Sequence, residues 1–511
     1  MNSAWSAREL AETADLVDGR WAACRDVLGP VLENPVTGAA VRPALGSSAE
    51  RVEHALAAAD ALHSCGAWAG LGAKDRADAL DAAAAAVEER AASVVRAESF
   101  ATGVPLAQTT GLGVILGGAF RLAAARLRAG VLDSGALRPD GRLVEVRRGP
   151  LGPALCVVPY NAPAPMAAHK AASALAAGCP VLVKAPEAAP YGTQLLVRAA
   201  AEGLASAGAP PAVLQLLHGD GRTGARLVAD ERVRAVSFTG GTATGRAVAA
   251  VCGRGLKPVQ LELGGNNPLV VMDDADPATA ARIAAELLTT LNGQWCRALG
   301  RLIVPSRMLP KLLADTGALL AALEAGDPLE AATGFGPLAH SAHRRRVTAA
   351  VGGLVAAGGT AHSFTGVPDA GGFFAPVLLT GVPAEAAREE IFGPVATVHP
   401  YDGEDEAVAL ANGTGYGLEG YVVGTDEEAA LAVARRVRAG EVKVNGSSLM
   451  SLHMDTPRPA WGLSGLVDEG TDETLLHFTG SRVTGVENGF APHTGGSAAG
   501  PRPGTAPGDA R

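Results

Sequence analysis

The stretch PALCVVPYNAPAPMAAHKAASALAAGCPVLVK, Pro153 to Lys184, decides the fold. Ala154 to Pro159 is a short, unbroken apolar run and reads as a buried strand. Pro165 to Ala177 is alanine-rich and reads as a helix, and Val181 to Lys184 reads as a second strand. A strand, a helix and a strand in such close succession form the unit that connects parallel neighbours.

The alternation continues in both directions. Thr193 to Ala207 reads as a helix, Val213 to Leu217 as a strand, Thr223 to Ala229 as a helix and Ala235 to Phe238 as a strand. Gly245 to Cys252 then reads as a helix and Val259 to Leu263 as a strand. This repetition predicts an α/β fold built on a doubly wound parallel sheet, with ligand sites at the carboxyl ends of its strands. Upstream, Glu50 to Leu62 and Ala73 to Phe100 are predicted helices, and Leu143 to Arg148 is a short charged strand that leaves the first sheet. Beyond Leu263 a second α/β region is predicted, with helices Ala275 to Thr290, Met308 to Ala325 and Asp426 to Ala439. Leu302 to Pro305 and Glu441 to Asn445 are its strands, and a cleft separates the two halves.

At 511 residues the chain exceeds what one hydrophobic core organises, so two or three domains are expected. With 48% hydrophobic and 19% charged residues it suits a compact enzyme better than a disordered chain. A net charge of -9, with no basic run longer than Arg344 to Arg346, argues against nucleic acid as a partner and favours a small molecule. Apolar runs stop short of the roughly 20 residues a membrane span needs. Met1 to Leu16 contains Arg8, Glu9, Glu12 and Asp15 and does not read as a signal peptide. The six cysteines are scattered without CxxC or Cys/His clusters, which argues against structural zinc or disulfides and fits a reducing cytoplasm. The eleven histidines form no HExxH spacing, so no metal is expected.

Five motifs carry possible chemistry, and each has a plainer reading. In P-Y-N-A-P, Asn161 stands at the sheet's carboxyl edge, where its amide could donate to an oxyanion or simply cap the next helix. In V-L-V-K-A-P-E, Lys184 and Glu187 could bind ribose hydroxyls or form a surface ion pair. F-T-G-G-T-A-T-G, Phe238 to Gly245, could offer backbone amides to a pyrophosphate or be only a tight strand-to-helix turn. In L-E-L-G-G-N-N-P, Glu262 lies between leucines, where burial would raise its pKa toward that of a general base; alternatively it faces solvent. In N-G-Q-W-C-R, Cys296 is a nucleophile or a packed small hydrophobe.

Together, in this order, the motifs resemble the aldehyde dehydrogenase superfamily, from N-P-V-T-G at Asn34 to Gly38 through about Arg482. G-F-F-A-P-V (Gly372 to Val377), E-E-I-F-G-P-V (Glu389 to Val395) and V-N-G (Val444 to Gly446) add to the resemblance. It implies a non-phosphorylating, NAD(P)-dependent oxidation in which Cys296 attacks the aldehyde and Asn161 and the Cys296 amide hold the oxyanion. Glu262 would then activate water, with Lys184 also among the catalytic set. Lys184, Glu187, Gly221, Phe238, Gly240, Gly241, Thr242, Gly245, Leu263, Glu390 and Phe392 would hold the cofactor. Glu187 favours NAD over NADP, because a 2'-phosphate would face its carboxylate. Trp295, Arg297, Ala162 and Met166 would surround the substrate.

The family's architecture would divide the chain into a cofactor-binding domain (1–136 and 151–263), a catalytic domain (264–473) and an oligomerisation element (137–150 and 474–486). The late strand of that element is expected near Leu475 to Phe478, the assembly is expected to be a homodimer or homotetramer, and residues 487–511 form a disordered tail. Three departures bear on the substrate. Gly241 replaces the usual serine, and Pro459 to Gly465 is a shortened form of a longer family loop, which predicts an altered substrate entrance and lid. Arg297 follows the nucleophile where small residues are usual; it could attract an anionic substrate and lower the thiol pKa, or turn away into an ion pair. Ala162 would widen the tunnel, so a bulky or acidic aldehyde is expected. Two other readings compete. A CoA-acylating enzyme would not need Glu262, and a non-catalytic cofactor-binding or assembly protein would not need Asn161, Glu262 and Cys296 together.

Overall fold

The computed structural model describes Leu10 and residues 12–487, so the predicted disordered tail lies, apart from Glu487, outside the described residues. The first sheet has eight strands in the order Arg20–Ala23, Ala14–Val17, Leu214–Leu217, Val181–Lys184, Ala154–Val157, Ala235–Thr239, Val259–Glu262 and Gly465–Leu466. Its five central strands are parallel, and in chain order they stand 3-2-1-4-5. The order reverses between Ala154–Val157 and Ala235–Thr239, which opens a crevice at the carboxyl ends of those strands. Helices cover both faces. Pro163–Ala177, Pro190–Ser206 and Ala73–Thr102 pack on one, while Ala49–Cys65, Gly221–Ala229 and Thr242–Arg254 pack on the other.

The second sheet has seven strands, ordered Thr360–Ser363, Val377–Thr380, Val395–Tyr401, Leu299–Pro305, Asn267–Val271, Glu419–Val423 and Glu441–Val444, and only its first pairing is antiparallel. The fold is therefore the expected α/β arrangement of two layered sheets, with a third, small β element. That element is an antiparallel sheet of Asp133–Leu137, Leu143–Pro150 and Thr479–Thr484. The late strand is thus not at Leu475 to Phe478. Those residues belong to the helix Thr471–His477 and its end, where Leu475 and Phe478 are buried in the first domain's core.

The helix Leu106–Arg128 has no counterpart in the sequence reading. Gly111, Gly113, Gly117 and Gly118 weaken its helix propensity by roughly 1 kcal/mol each, but packing on Ala73–Thr102 and Pro163–Ala177 overrides this. Gly117 is needed for that approach, since a Cβ there would lie 2.5 Å from Glu88 Cγ. By length and composition this helix is apolar enough to cross a membrane, though Arg121, Arg126 and Arg128 interrupt its apolar run.

Candidate active site

Cys296 ends a turn whose backbone is unusual. Leu291, Asn292 and Gly293 all have positive φ (50°, 57° and 70°), a run that costs energy unless its surroundings hold it. They do. Asn292 Nδ2 donates to the carbonyls of Gly103 (2.8 Å) and Pro337 (3.0 Å), and its Oδ1 accepts from the Gly336 amide. Gln294 Nε2 donates to Thr102 O, and its Oε1 accepts from the Ala339 amide. Gly293 cannot be replaced here, because a Cβ would sit 2.3 Å from Pro394 N.

Turn and sheet crevice meet at Cys296. Its Sγ donates to Glu262 Oε1 at 3.1 Å, at the carboxyl end of the strand Val259–Glu262. Asn161 lies just before the helix Pro163–Ala177, and its Nδ2 donates to Gln294 O at 2.9 Å, two residues from the thiol. Asn267 Nδ2 holds the Cys296 and Ala298 carbonyls at 2.9 and 2.7 Å, so both sides of the nucleophile are fixed. Burial pushes the Cys296 thiol well above its ordinary value, the adjacent Glu262 carboxylate adds to this, and Arg297 only partly offsets it. Burial likewise raises Glu262, reinforced by the negative charge of Glu469. Glu469 itself is held low against its own desolvation by Lys170, whose Nζ is 2.6 Å away, and by Arg458.

A cavity of about 860 Å³ opens onto the thiol, and its lining comprises two sets of residues, which we call arms: the glycine turn with Glu390 and Phe392, and the helix Leu106–Arg128 with Met166 and Trp295. Gly240, Gly241, Leu263, Glu390 and Phe392 line one arm, together with Tyr160. Glu390 Oε1 accepts from the Gly265 amide at 2.8 Å, and burial raises its carboxyl to about 7. This arm fits a dinucleotide. The helix Thr242–Arg254 starts at Gly241 with no side-chain cap, and a Cβ there would meet nothing within 4 Å, so its first-turn amides face open space. Gly245 lets the helix close on the strand end, since a Cβ there would lie 2.4 Å from Leu263 Cδ2. Phe238 packs beneath the turn, with its ring against Gly240. Thr242 Oγ1 donates to Leu463 O. Lys184 ends the strand Val181–Lys184, the neighbour of Ala154–Val157, and pairs with Glu187 at 3.1 Å; neither residue lines the cavity. Gly221 is different: it opens a helix whose amides at Arg222 and Thr223 are already taken by Asp220 Oδ1, so a phosphate does not fit there.

Ala162, Met166 and Trp295 line the other arm. Arg297 borders it, but its guanidinium does not reach into it as a free cation. Nη1 donates to Glu419 and, at 2.9 Å, to Glu441, and Lys443 completes the cluster at 2.7 Å from Glu419. Of the two readings of Arg297, the structure takes the ion pair. Pro459 to Gly465 is also not a lid. Leu466 and Gly465 pair with Leu261 and Glu262, Ser464 O accepts from the Leu263 amide, and Trp461–Gly462 pairs with Tyr416–Gly417. The segment joins the edge of the first sheet beside Glu262 to the short strand Tyr416–Gly417, and Leu449, Met450, Ser451, His453 and Met454 line the cavity at its entrance instead. Gln294, Asn267, Lys170 and Glu469 went unread because single polar residues give no periodic signal. Their partners lie up to 299 residues away.

A model of the aldehyde dehydrogenase family matches residues 30–484. A geranial dehydrogenase of Castellaniella defragrans is 36% identical over 444 residues, covering 84% of this chain and 90% of the relative. A vanillin dehydrogenase of Pseudomonas fluorescens is 33% identical, covering 93% and 98%. Among solved structures, aldehyde dehydrogenase C of Pseudomonas syringae, a mutant with NAD+ and octanal, superposes with a TM-score of 0.86 at 29% identity, covering 95% and 98%. Betaine aldehyde dehydrogenase of Staphylococcus aureus with NAD+ gives 0.85 at 26%, covering 94% and 95%.

Proposed function

The chain belongs to the aldehyde dehydrogenase family, and from that premise we propose that it oxidises an aldehyde to the carboxylic acid with NAD+ through a covalent adduct on Cys296. One observation carries the reading: Cys296 Sγ lies 3.1 Å from Glu262 Oε1, and both residues line the same cavity as the glycine turn.

Glu262 takes the thiol proton as Sγ bonds to the aldehyde carbon. The second N–H of the Asn161 amide and the Cys296 backbone N–H stabilise the oxyanion of the thiohemiacetal. Bound in the glycine-turn arm, the nicotinamide supplies the acceptor for the hydride that leaves this carbon. Glu262, once it has released its proton, takes one from water as that water attacks the thioester; the acid departs and the thiol is restored. Glu390 and the open amides of the helix Thr242–Arg254 would hold the cofactor. A cofactor that extends past the cavity along the carboxyl ends of the strands would bring a 2'-phosphate against the carboxylate of Glu187, which favours NAD over NADP.

The test follows NADH formation by absorbance over a panel of aldehydes, with NAD+ and NADP+ in parallel, for wild type and Cys296→Ala. Turnover with NAD+ that the mutant lacks is expected. Undiminished turnover in Cys296→Ala, or acyl-CoA as the product in place of free acid, would overturn the reading.

A further inference from the structure

Resting on the dehydrogenase reading, we propose that the substrate arm is built for uncharged hydrocarbon aldehydes and discriminates against acidic ones. Three observations carry this. The wall between the surface and Cys296 is apolar: Leu112, Ile115 and Leu122 come from the helix Leu106–Arg128, and Met166, Trp295 and Leu449 face them. Only a third of that helix's most apolar stretch is buried, so its apolar surface is not consumed by the core. At the mouth the apolar lining continues to solvent, with Val114, Met450 and Met454 at 69%, 39% and 50% exposure. Large apolar side chains left uncovered around a single opening mark a site that takes an apolar ligand.

The third observation concerns charge. A substrate carboxylate buried in this arm needs a cation. Among the described residues, four arginines line the cavity: Arg346 donates to the ring of His343, which itself lies against Phe392 in the cofactor arm, and the other three are paired with carboxylates. Arg121 donates to both oxygens of Glu88 at 2.6 Å, Arg458 lies 3.6 Å from Glu469, and Arg297 is held by Glu419 and Glu441. His169 is neutral at physiological pH, because burial and then Arg458 lower its pKa to about 3. An acidic aldehyde would have to break one of these pairs. A hydrocarbon chain disturbs none and gains burial with each methylene.

The experiment compares kcat/KM with NAD+ for propanal, butanal, hexanal, octanal, succinic semialdehyde and glutaric semialdehyde. The value should rise by about fourfold per methylene up to octanal, as burial of a CH₂ implies, and octanal should exceed glutaric semialdehyde by at least about 100-fold. A flat chain-length series, or an acidic aldehyde equal to octanal, would overturn the proposal. Ile115→Arg, which adds an unpaired cation to the wall, should narrow the octanal preference at least tenfold; an unchanged ratio counts against the assigned wall. Calorimetric binding to Cys296→Ala separates this proposal from the reading beneath it. Tighter binding of octanal than of glutaric semialdehyde supports the proposal even if the wild type oxidises neither, an outcome that sinks only the oxidation. Equal or inverted binding sinks the proposal.

Discussion

At the scale of residues, one proton decides whether Cys296 can react. Its thiol pKa is pushed well above the ordinary 9.0, so the thiol is neutral at physiological pH and the nucleophile forms only when Glu262 accepts the proton. Glu262 has a pKa raised above its ordinary 4.5 by burial and Glu469. The sign follows: below the raised value Glu262 is protonated and cannot act, so kcat/KM falls on acidification with a midpoint well above 4.5. Glu262→Gln should lower kcat by about 10² or more and abolish this acidic limb, leaving a rate that rises only where the thiol itself ionises. A pH–rate profile of the two proteins checks this, and an acidic limb that survives in Glu262→Gln would assign the base elsewhere. This pair is legible in the sequence, because an acid between leucines and a cysteine in a glycine turn are local signals. It left Arg297 undecided between pocket and ion pair, since the partners that settle it, Glu419 and Glu441, lie 122 and 144 residues away.

Between elements, the Arg297 cluster acts as a brace. It joins the nucleophile turn to the adjacent strands Glu419–Val423 and Glu441–Val444. Glu441 Oε1 also accepts from the Leu452 amide at 2.6 Å, and Lys443 Nζ donates to Ser448 O, so the entrance loop hangs from the same charges. Arg297→Met should destabilise the fold by about 3 kcal/mol, because it leaves buried carboxylates without their main partner. It should also raise KM more than it lowers kcat, as the entrance loop loosens while the thiol and Glu262 stay in place. Adding Glu441→Leu should recover part of the stability. Denaturant unfolding of the single and double variants checks the first part, and an Arg297→Met protein as stable as wild type would show that the cluster braces nothing. The element scale is also where sequence reading failed most. The helix Leu106–Arg128 was hidden by its glycines, and Pro459 to Gly465 passed for a lid because a linear motif cannot show that it pairs with the strand bearing Glu262.

For the whole molecule, the third sheet is largely uncovered within one chain. All five residues of Asp133–Leu137 are exposed, its outer edge is unpaired, and Leu137 and Val483 are 73% and 67% exposed. Three strands need a covered apolar face to be stable, and an open edge invites pairing with another chain. This also explains the misplaced late strand. Leu475 and Phe478 have the apolar run of a strand because they fill the core, whereas Thr479–Thr484 is mostly exposed and lacks such a run. We therefore expect a homodimer or homotetramer joined through this sheet. Light scattering on size-exclusion chromatography should give two or four chains for the wild type. Leu137→Glu with Val483→Glu should shift that mass toward one, because a carboxylate on each exposed apolar position resists being covered. Circular dichroism of the double variant must stay native for the result to count, and with both side chains exposed in the single chain little loss of fold is expected. A wild type that runs as a monomer at micromolar concentration, or a double variant with unchanged mass, would mean that this sheet is not the interface.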